Sequence, residues 1–346
     1  MSTLRRDPIT GRWVINVSKK SEGASTLTLL EEYASKNICP LCEGNEQCTP
    51  PEIFALRETH SQKDKPGWEV RVIPNLSPSL KIEDELDRRG ELMYDLMNAV
   101  GANEIIIETP QHVENLADLD VSQIQKVWEV CKERISDLKK DKRFKQIVVF
   151  KSYGKRAIPS PLKHAYSQLI ALSITPKALK EELVGAKNYY EYKTRCVYCD
   201  IIRQELDTDK RVVASNKHFV ALTPFASRYT HEVWILPKKH SPDFETSSAD
   251  ELYSLSSLLK DILLRLGKLL NDPPYNYMLH TGPNRVTRKG YWKSLDSDYH
   301  WHIEIMPSFT RVSGFEWGTG FFINLVTPEE AAQNLKKIKV ESEVKI

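Results

Sequence analysis

No stretch of this sequence holds the roughly 18 consecutive apolar residues needed to cross a bilayer, and the opening MSTLRRDPITGRW lacks the apolar segment of a secretory leader. The chain is therefore expected to be soluble and cytoplasmic, with no membrane partner. An excess of either charge is also missing: 49 Lys+Arg against 47 Asp+Glu leave a net charge of +2, which gives no electrostatic case for nucleic acid or an anionic membrane. The basic runs KKDKRFK and KKIKV carry no interleaved stacking aromatics and read as solvated helix faces and ends. Cysteine is sparse, six in 346 residues. In a chain of this character that excludes a disulfide framework and points to metal ligands or buried thiols. Material for a core is not lacking: 40% hydrophobic and 28% charged residues suit two ordinary domains or one large duplicated unit.

Four of the six cysteines form two CxxC pairs, Cys39/Cys42 in CPLC and Cys196/Cys199 in CVYC. Around them the sequence repeats itself. NEIIIETPQH (103–112) lines up with HEVWILPKKH (231–240), so that Glu104 and His112 match Glu232 and His240. An amphipathic helix is predicted after each, roughly 120–140 and 248–271. A strand follows, FKQIVVFKS or YNYMLHTGP, and then an alternating segment, KHAYSQLIAL or YHWHIEIMP. The order CxxC, strand, strand, His, helix, strand, alternating strand thus occurs twice. It predicts an α+β fold of two halves, 1–180 and 190–346, each an antiparallel sheet with packed helices. The repeat sets His164 against His300, Tyr166 against His302, and Gln168 against Glu304.

Each half then offers a Cys2His2 set: Cys39, Cys42, His112 and His164 in the first, Cys196, Cys199, His240 and His300 in the second. A tight CxxC turn supplies two thiolates to one ion, and two imidazoles from distant strands complete a tetrahedron, the donor set of structural zinc. Redox use of the thiols is the competing reading. Neither set has a spare ligand position, so both are expected to be structural; the second can also be read as an iron site.

RRDPITGRWV, CPLCEG, RVIPNLSPSL, NEIIIETPQH, HAYSQ, PYNYMLHTGP, HWHIEIMP and GFEWGTG together resemble the galactose-1-phosphate uridylyltransferase family, the duplicated branch of the histidine-triad superfamily. In its two CxxC pairs the chain is also similar to ADP-glucose phosphorylase-type relatives. The resemblance implies duplicated histidine-triad-like halves in a homodimer. It also implies transfer of a nucleoside monophosphate between a nucleotide sugar and a hexose 1-phosphate or phosphate, with uridylyl as the group.

The family's working element reads His-x-His-x-Gln: a zinc ligand, a nucleophile and a phosphate-binding amide. Here His164 and Gln168 are kept, and Tyr166 stands in the nucleophile's place. A neutral imidazole attacks phosphorus readily, whereas ionising a phenol of pKa ~10 costs about 4 kcal/mol at pH 7. Two further departures accompany it. SKKSEGAS, with Lys19 and Lys20, replaces an arginine-bearing phosphate segment, and AIPSPLKH, with two prolines, replaces a Gly/Ser-rich loop. By the resemblance Asn75, Ser160, Phe315 and Glu316 contact substrate, the last two often from the partner subunit. His302, opposite Tyr166 in the repeat, is a second catalytic candidate. A metal set of Glu182, His280, His302 and Glu304, seen in some relatives, competes with the second Cys2His2 set. The alternatives to transfer are a non-catalytic nucleotide-sugar-binding paralogue and a single-displacement phosphorylase or hydrolase.

Overall fold

The computed structural model describes residues 2–17, 38–154, 163–286, 293–307 and 313–340. Two sheets account for its strands. The smaller has the order β2-β1-β6-β5 and comprises β1 (Thr3–Arg6), β2 (Trp13–Asn16), β5 (Arg89–Glu91) and β6 (Tyr94–Asn98). Among the described residues it has no counterpart in the C-terminal half, and nothing in the repeat announced it.

The larger sheet contains the duplication. In its first half β3 (Phe54–Arg57), β4 (Trp68–Pro74), β7 (Gly101–Ile107), β8 (Gln146–Tyr153) and β9 (Tyr166–Leu172) lie in the order β3-β4-β7-β9-β8. In its second half β10 (Val212–Ser215), β11 (Phe219–Leu222), β12 (Val233–Pro237), β13 (Tyr275–His280) and β14 (His302–Pro307) lie in the matching order β10-β11-β12-β14-β13. Every pairing is antiparallel, and β8 joins β13 to make one sheet of ten strands. Phe150 faces Gln168 on one side, Met278 faces Glu304, and Phe150 and Met278 face each other across the join.

Helices α1 (Val121–Leu138) and α4 (Ala249–Leu270) follow the third strand of each half, within a residue or two of the expected spans. Apolar residues at three- and four-residue spacing, Ile124, Val127, Trp128, Cys131 and Ile135 in α1, Leu252, Leu255, Leu259 and Ile262 in α4, are buried in one continuous core. Its floor is one face of the large sheet, Val72, Ile106, Val149, Leu169, Ile235, Tyr277 and Ile303. Strand alternation sends Tyr166, Gln168, His302 and Glu304 to the opposite face, which these two helices leave uncovered. The longest described helix is not apolar enough to cross a membrane.

The ladder corrects one detail of the expected repeat. Ile105 lies opposite Gln168 and Trp234 opposite Glu304, so Asn103, not Glu104, occupies the place of Glu232. A single extra residue before the metal-binding His of the first half reverses the faces upstream of it, because the side-chain period of a strand is two.

The remaining helices are α2 (Lys177–Lys193), which links the halves, α3 (Val197–Thr208), α5 (Leu295–Asp298), α6 (Gly314–Thr319) and α7 (Pro328–Lys337). At the start of β7, a Cβ on Gly101 would stand 2.4 Å from the Ala171 carbonyl and 2.8 Å from Leu80. Gly101→Ala is therefore expected to destabilise by about 1–3 kcal/mol, read as a lower urea midpoint at unchanged slope.

Candidate functional site

Each CxxC meets its two histidines. In the first half Cys39 Sγ lies 3.6 Å from His164 Nδ1, and Cys42 Sγ lies 3.3 Å from His112 Nδ1 and 3.6 Å from His164 Nδ1. In the second, Cys199 Sγ lies 3.4 Å from His240 Nδ1 and 3.6 Å from His300 Nδ1, with Cys196 in the same group. With metal–sulfur and metal–nitrogen bonds of about 2.3 and about 2.0 Å, a tetrahedron has S–N edges of about 3.5 Å, so the residues fit a four-coordinate ion. The far ring nitrogens agree. His164 Nε2 donates to the Thr109 carbonyl at 2.9 Å, His240 Nε2 to Asp296 at 3.0 Å, and His300 Nε2 to Pro237 at 2.8 Å. That tautomer aims the Nδ1 lone pair at the sulfurs. Burial lowers His164 to about 4, keeping it neutral and ready to ligate, while burial and the adjacent Cys39 push the Cys42 thiol up to about 12 in the metal-free chain.

His164 lies two residues before the start of β9, so the first Cys2His2 group anchors the strand that carries Tyr166 and Gln168. Tyr166 is 7% exposed and packs with Leu41, Trp68, Ile73, Ile105 and Ile107. Asn75, 93 residues away in sequence, reaches Gln168: its amide donates to Gln168 Oε1 at 3.1 Å and to Asn103 Oδ1 at 3.1 Å. Accepting through Oε1 leaves the Gln168 NH2 group as donor for a ligand.

Directly behind this strand lies a network that sequence reading did not anticipate. Lys151 Nζ donates to Glu108 Oε2 at 2.7 Å and to the Tyr166 carbonyl at 3.1 Å. Ser167 Oγ donates to Glu108 Oε1 at 2.5 Å and lies 2.8 Å from the Tyr277 hydroxyl. Lys151 and Glu108 are 2% and 0% exposed. The one available signal was a Glu and a Lys each closing an apolar strand, IIIE and VVFK.

In the second half the position matching Tyr166 is filled from inside the molecule. His302 is buried, with Nε2 3.7 Å from a Glu182 oxygen and 4.0 Å from Glu304. Glu182, reaching in from α2, accepts from His280 Nδ1 at 2.8 Å, Tyr299 at 2.7 Å and Tyr198 at 3.0 Å. Burial raises Glu182, but the two imidazoles and the hydrogen bonds from His280 and Tyr299 outweigh it and hold the carboxyl at about 2; burial lowers His302. The expected competition between two metal sets dissolves. Glu182, His280 and His302 converge within 4.8 Å as a group of their own, His300 belongs to the cysteine set, and Glu304 instead pairs with Arg228 at 2.6 Å.

Phe315 and Glu316 lie on α6. Phe315 is half exposed, and Glu316 accepts from the Ser313 backbone N–H at 3.0 Å as the capping carboxylate of its own helix. Exposed Trp317, Phe321, Ile323 and Leu325 continue this surface. Ser160, Lys19, Lys20 and the proline loop ahead of Lys163 lie outside the described residues.

A duplicated α+β unit, each copy carrying a Cys2His2 group and one copy presenting a Tyr-x-Gln face beside Asn75, is the class of protein that these features define. Comparison with known proteins narrows it. The profile described as "Galactose-1-phosphate uridyl transferase, C-terminal domain" matches residues 182–341. ADP-glucose phosphorylase of Arabidopsis thaliana is 34% identical over 97% of this chain and 93% of its own length, and galactose-1-phosphate uridylyltransferase of Thermotoga maritima is 28% identical over 99% and 100%. The crystal structure of the Arabidopsis thaliana ADP-glucose phosphorylase with bound ADP-glucose superposes with a TM-score of 0.77 at 35% identity, covering 98% of this chain and all of that one. The chain belongs to the galactose-1-phosphate uridylyltransferase family.

Proposed function

We propose that the protein is a zinc-containing enzyme that transfers a nucleoside monophosphate from a nucleotide sugar to phosphate or a hexose 1-phosphate. In this reading it does so by a single in-line displacement rather than through a covalent histidine. The observation that carries this reading is the convergence of Asn75 and Gln168 on the face of β9 beside Tyr166. The Asn75 amide holds the Gln168 carbonyl, which turns the Gln168 NH2 toward the place where phosphoryl charge develops. Tyr166, packed among apolar side chains, shapes that pocket without attacking: no imidazole stands at the position, and generating a phenolate there costs more than bringing in an already anionic acceptor. Glu182, held by hydrogen bonds from His280, Tyr299 and Tyr198 beside the buried His302, braces the second half. Both Cys2His2 groups hold structural zinc, which supplies rigidity and takes no part in the displacement. A homodimer, with Phe315 and Glu316 contributed to the partner's sugar pocket, fits the exposed apolar surface around α6.

The test uses nucleotide sugar labelled in the α-phosphate, supplied as ADP-glucose and as UDP-glucose, with phosphate or hexose 1-phosphate as acceptor. Turnover without a trapped adduct, with inversion at phosphorus, is the expected result. An acid-stable adduct that disappears in Tyr166→Phe would replace single displacement by covalent tyrosine chemistry, and absence of turnover with every pair would favour a binding protein. Tyr166→Phe is expected to retain turnover within a few-fold, whereas Gln168→Ala should lower kcat by about 10².

A further inference from the structure

A cavity of about 830 Å³ opens between the small N-terminal sheet and α2, lined by Arg6, Trp13, Lys145, Lys177, Lys180 and Asn188 among others. It is remote from the Tyr166–Gln168 face: it touches Ile174, six residues beyond Gln168 along β9 and its exit, roughly 20 Å at strand rise. Its volume lies in the range of small-molecule sites. The charge of its wall is one-sided, four cationic side chains against the single acid Glu181, which lies 3.7 Å from Lys177. Arg6 meets an exposed partner, Asp95, at 2.9 Å. A second cavity of about 430 Å³ shares Trp13, Lys145 and Ile174 with the first and adds Arg88 and Arg89 against one acid, Asp95. The half-buried indole of Trp13 therefore stands on the wall between two cationic hollows.

We infer that this cleft is a second ligand site, for a phosphate-bearing ring compound of the nucleotide class. The lysines and arginines meet the phosphates, and Trp13 offers a flat apolar surface to the ring. The cleft is built from the hairpin β1–β2, Lys145 ahead of β8, Ile174 and α2, and Pro283 and Leu295 of the C-terminal half. A bound anion would tie these together next to Glu182, which follows Glu181 on α2. The inference does not depend on the reaction assigned to Gln168.

Calorimetric titration of the full-length protein tests it, with ATP and inorganic pyrophosphate as probes. The expected result is ATP binding that persists in Gln168→Ala and weakens at least about tenfold in Lys177→Glu/Lys180→Glu, with turnover of the double variant within about twofold of wild type. Both lysines are exposed on α2, so folding should be preserved; Arg6→Ala, at an equally exposed position, gives an independent reading. ATP binding unchanged in the lysine variant, or lost in Gln168→Ala, would overturn the second site. Pyrophosphate binding as tightly as ATP would overturn the nucleotide assignment.

Discussion

Cys42→Ser is expected, on the proposed two-zinc reading, to halve the zinc content of the protein, from two ions per chain to one, and to remove both activity and cooperative unfolding of the first half. Structural zinc in small Cys2His2 units is worth an apparent ~10–16 kcal/mol near pH 7, as large as the ~5–15 kcal/mol that separates a typical folded domain from its unfolded chain. In this chain the Cys39–Cys42 turn holds His164, and His164 is two residues from Tyr166. Losing the ion therefore loosens the start of β9 and the Gln168–Asn75 contact with it. Cys199→Ser should remove the other ion while leaving that contact in place, so its effect on turnover should be much the smaller. The pH dependence has a definite sign. His164 is held neutral by burial at about 4, while the Cys42 thiol stands at about 12 without metal. Ion binding must therefore release thiol protons, and affinity should fall as pH falls. Metal analysis of each variant, and of wild type dialysed against chelator at pH 5 and pH 8, checks this. A metal-free native protein, or unchanged metal content in Cys42→Ser, would refute it.

The second large effect is expected at the buried pair behind the site. Lys151→Met leaves the Glu108 carboxylate without its cation, and Glu108→Gln leaves the Lys151 ammonium facing a neutral amide. Breaking a buried pair on one side typically costs about 3–5 kcal/mol, because the partner stays desolvated. Removing both charges should cost much less than the sum of the single changes. A double-mutant cycle in urea therefore reads the coupling directly. A functional readout follows from the bond of Lys151 to the Tyr166 carbonyl: Lys151→Met should lower kcat by letting Gln168 drift from its position. Additive single costs, or a Lys151→Met enzyme of wild-type stability, would contradict the account.

How far the sequence anticipated this structure depends on the range over which its signals act. The two Cys2His2 groups were legible because ligand chemistry is confined to few residue types and the same spacing logic recurs in both halves. Helices α1 and α4 were legible because a buried stripe imposes its own period. Asn75 and Gln168 were singled out only through family resemblance, and their contact was not foreseen, since nothing local says that two amides 93 residues apart will touch. Lys151 and Glu108 were not legible at all; each reads alone as a charge ending a strand. The match of Glu104 to Glu232 failed by one residue, an offset invisible to letter-by-letter comparison, yet enough to change the face of the sheet. The second-half metal alternatives were set against each other, one using His300 and the other His302. On a strand, however, they serve different groups, one reaching the sulfurs and the other Glu182.

The join between β8 and β13 carries a consequence for how such a chain can arise. Phe150 and Met278 occupy matching places in the two copies and sit opposite each other, while Val149 faces Leu279 and Lys151 faces Tyr277 in mirrored register around them. A two-fold axis passes through that central pair. A single ancestral copy could close the same ten-stranded sheet simply by associating edge to edge with its twin, so gene fusion would have made permanent a dimer that already existed. Once fused, the two cradles no longer had to remain alike, and a glutamate from the linking helix was free to occupy one while the other carries Tyr166.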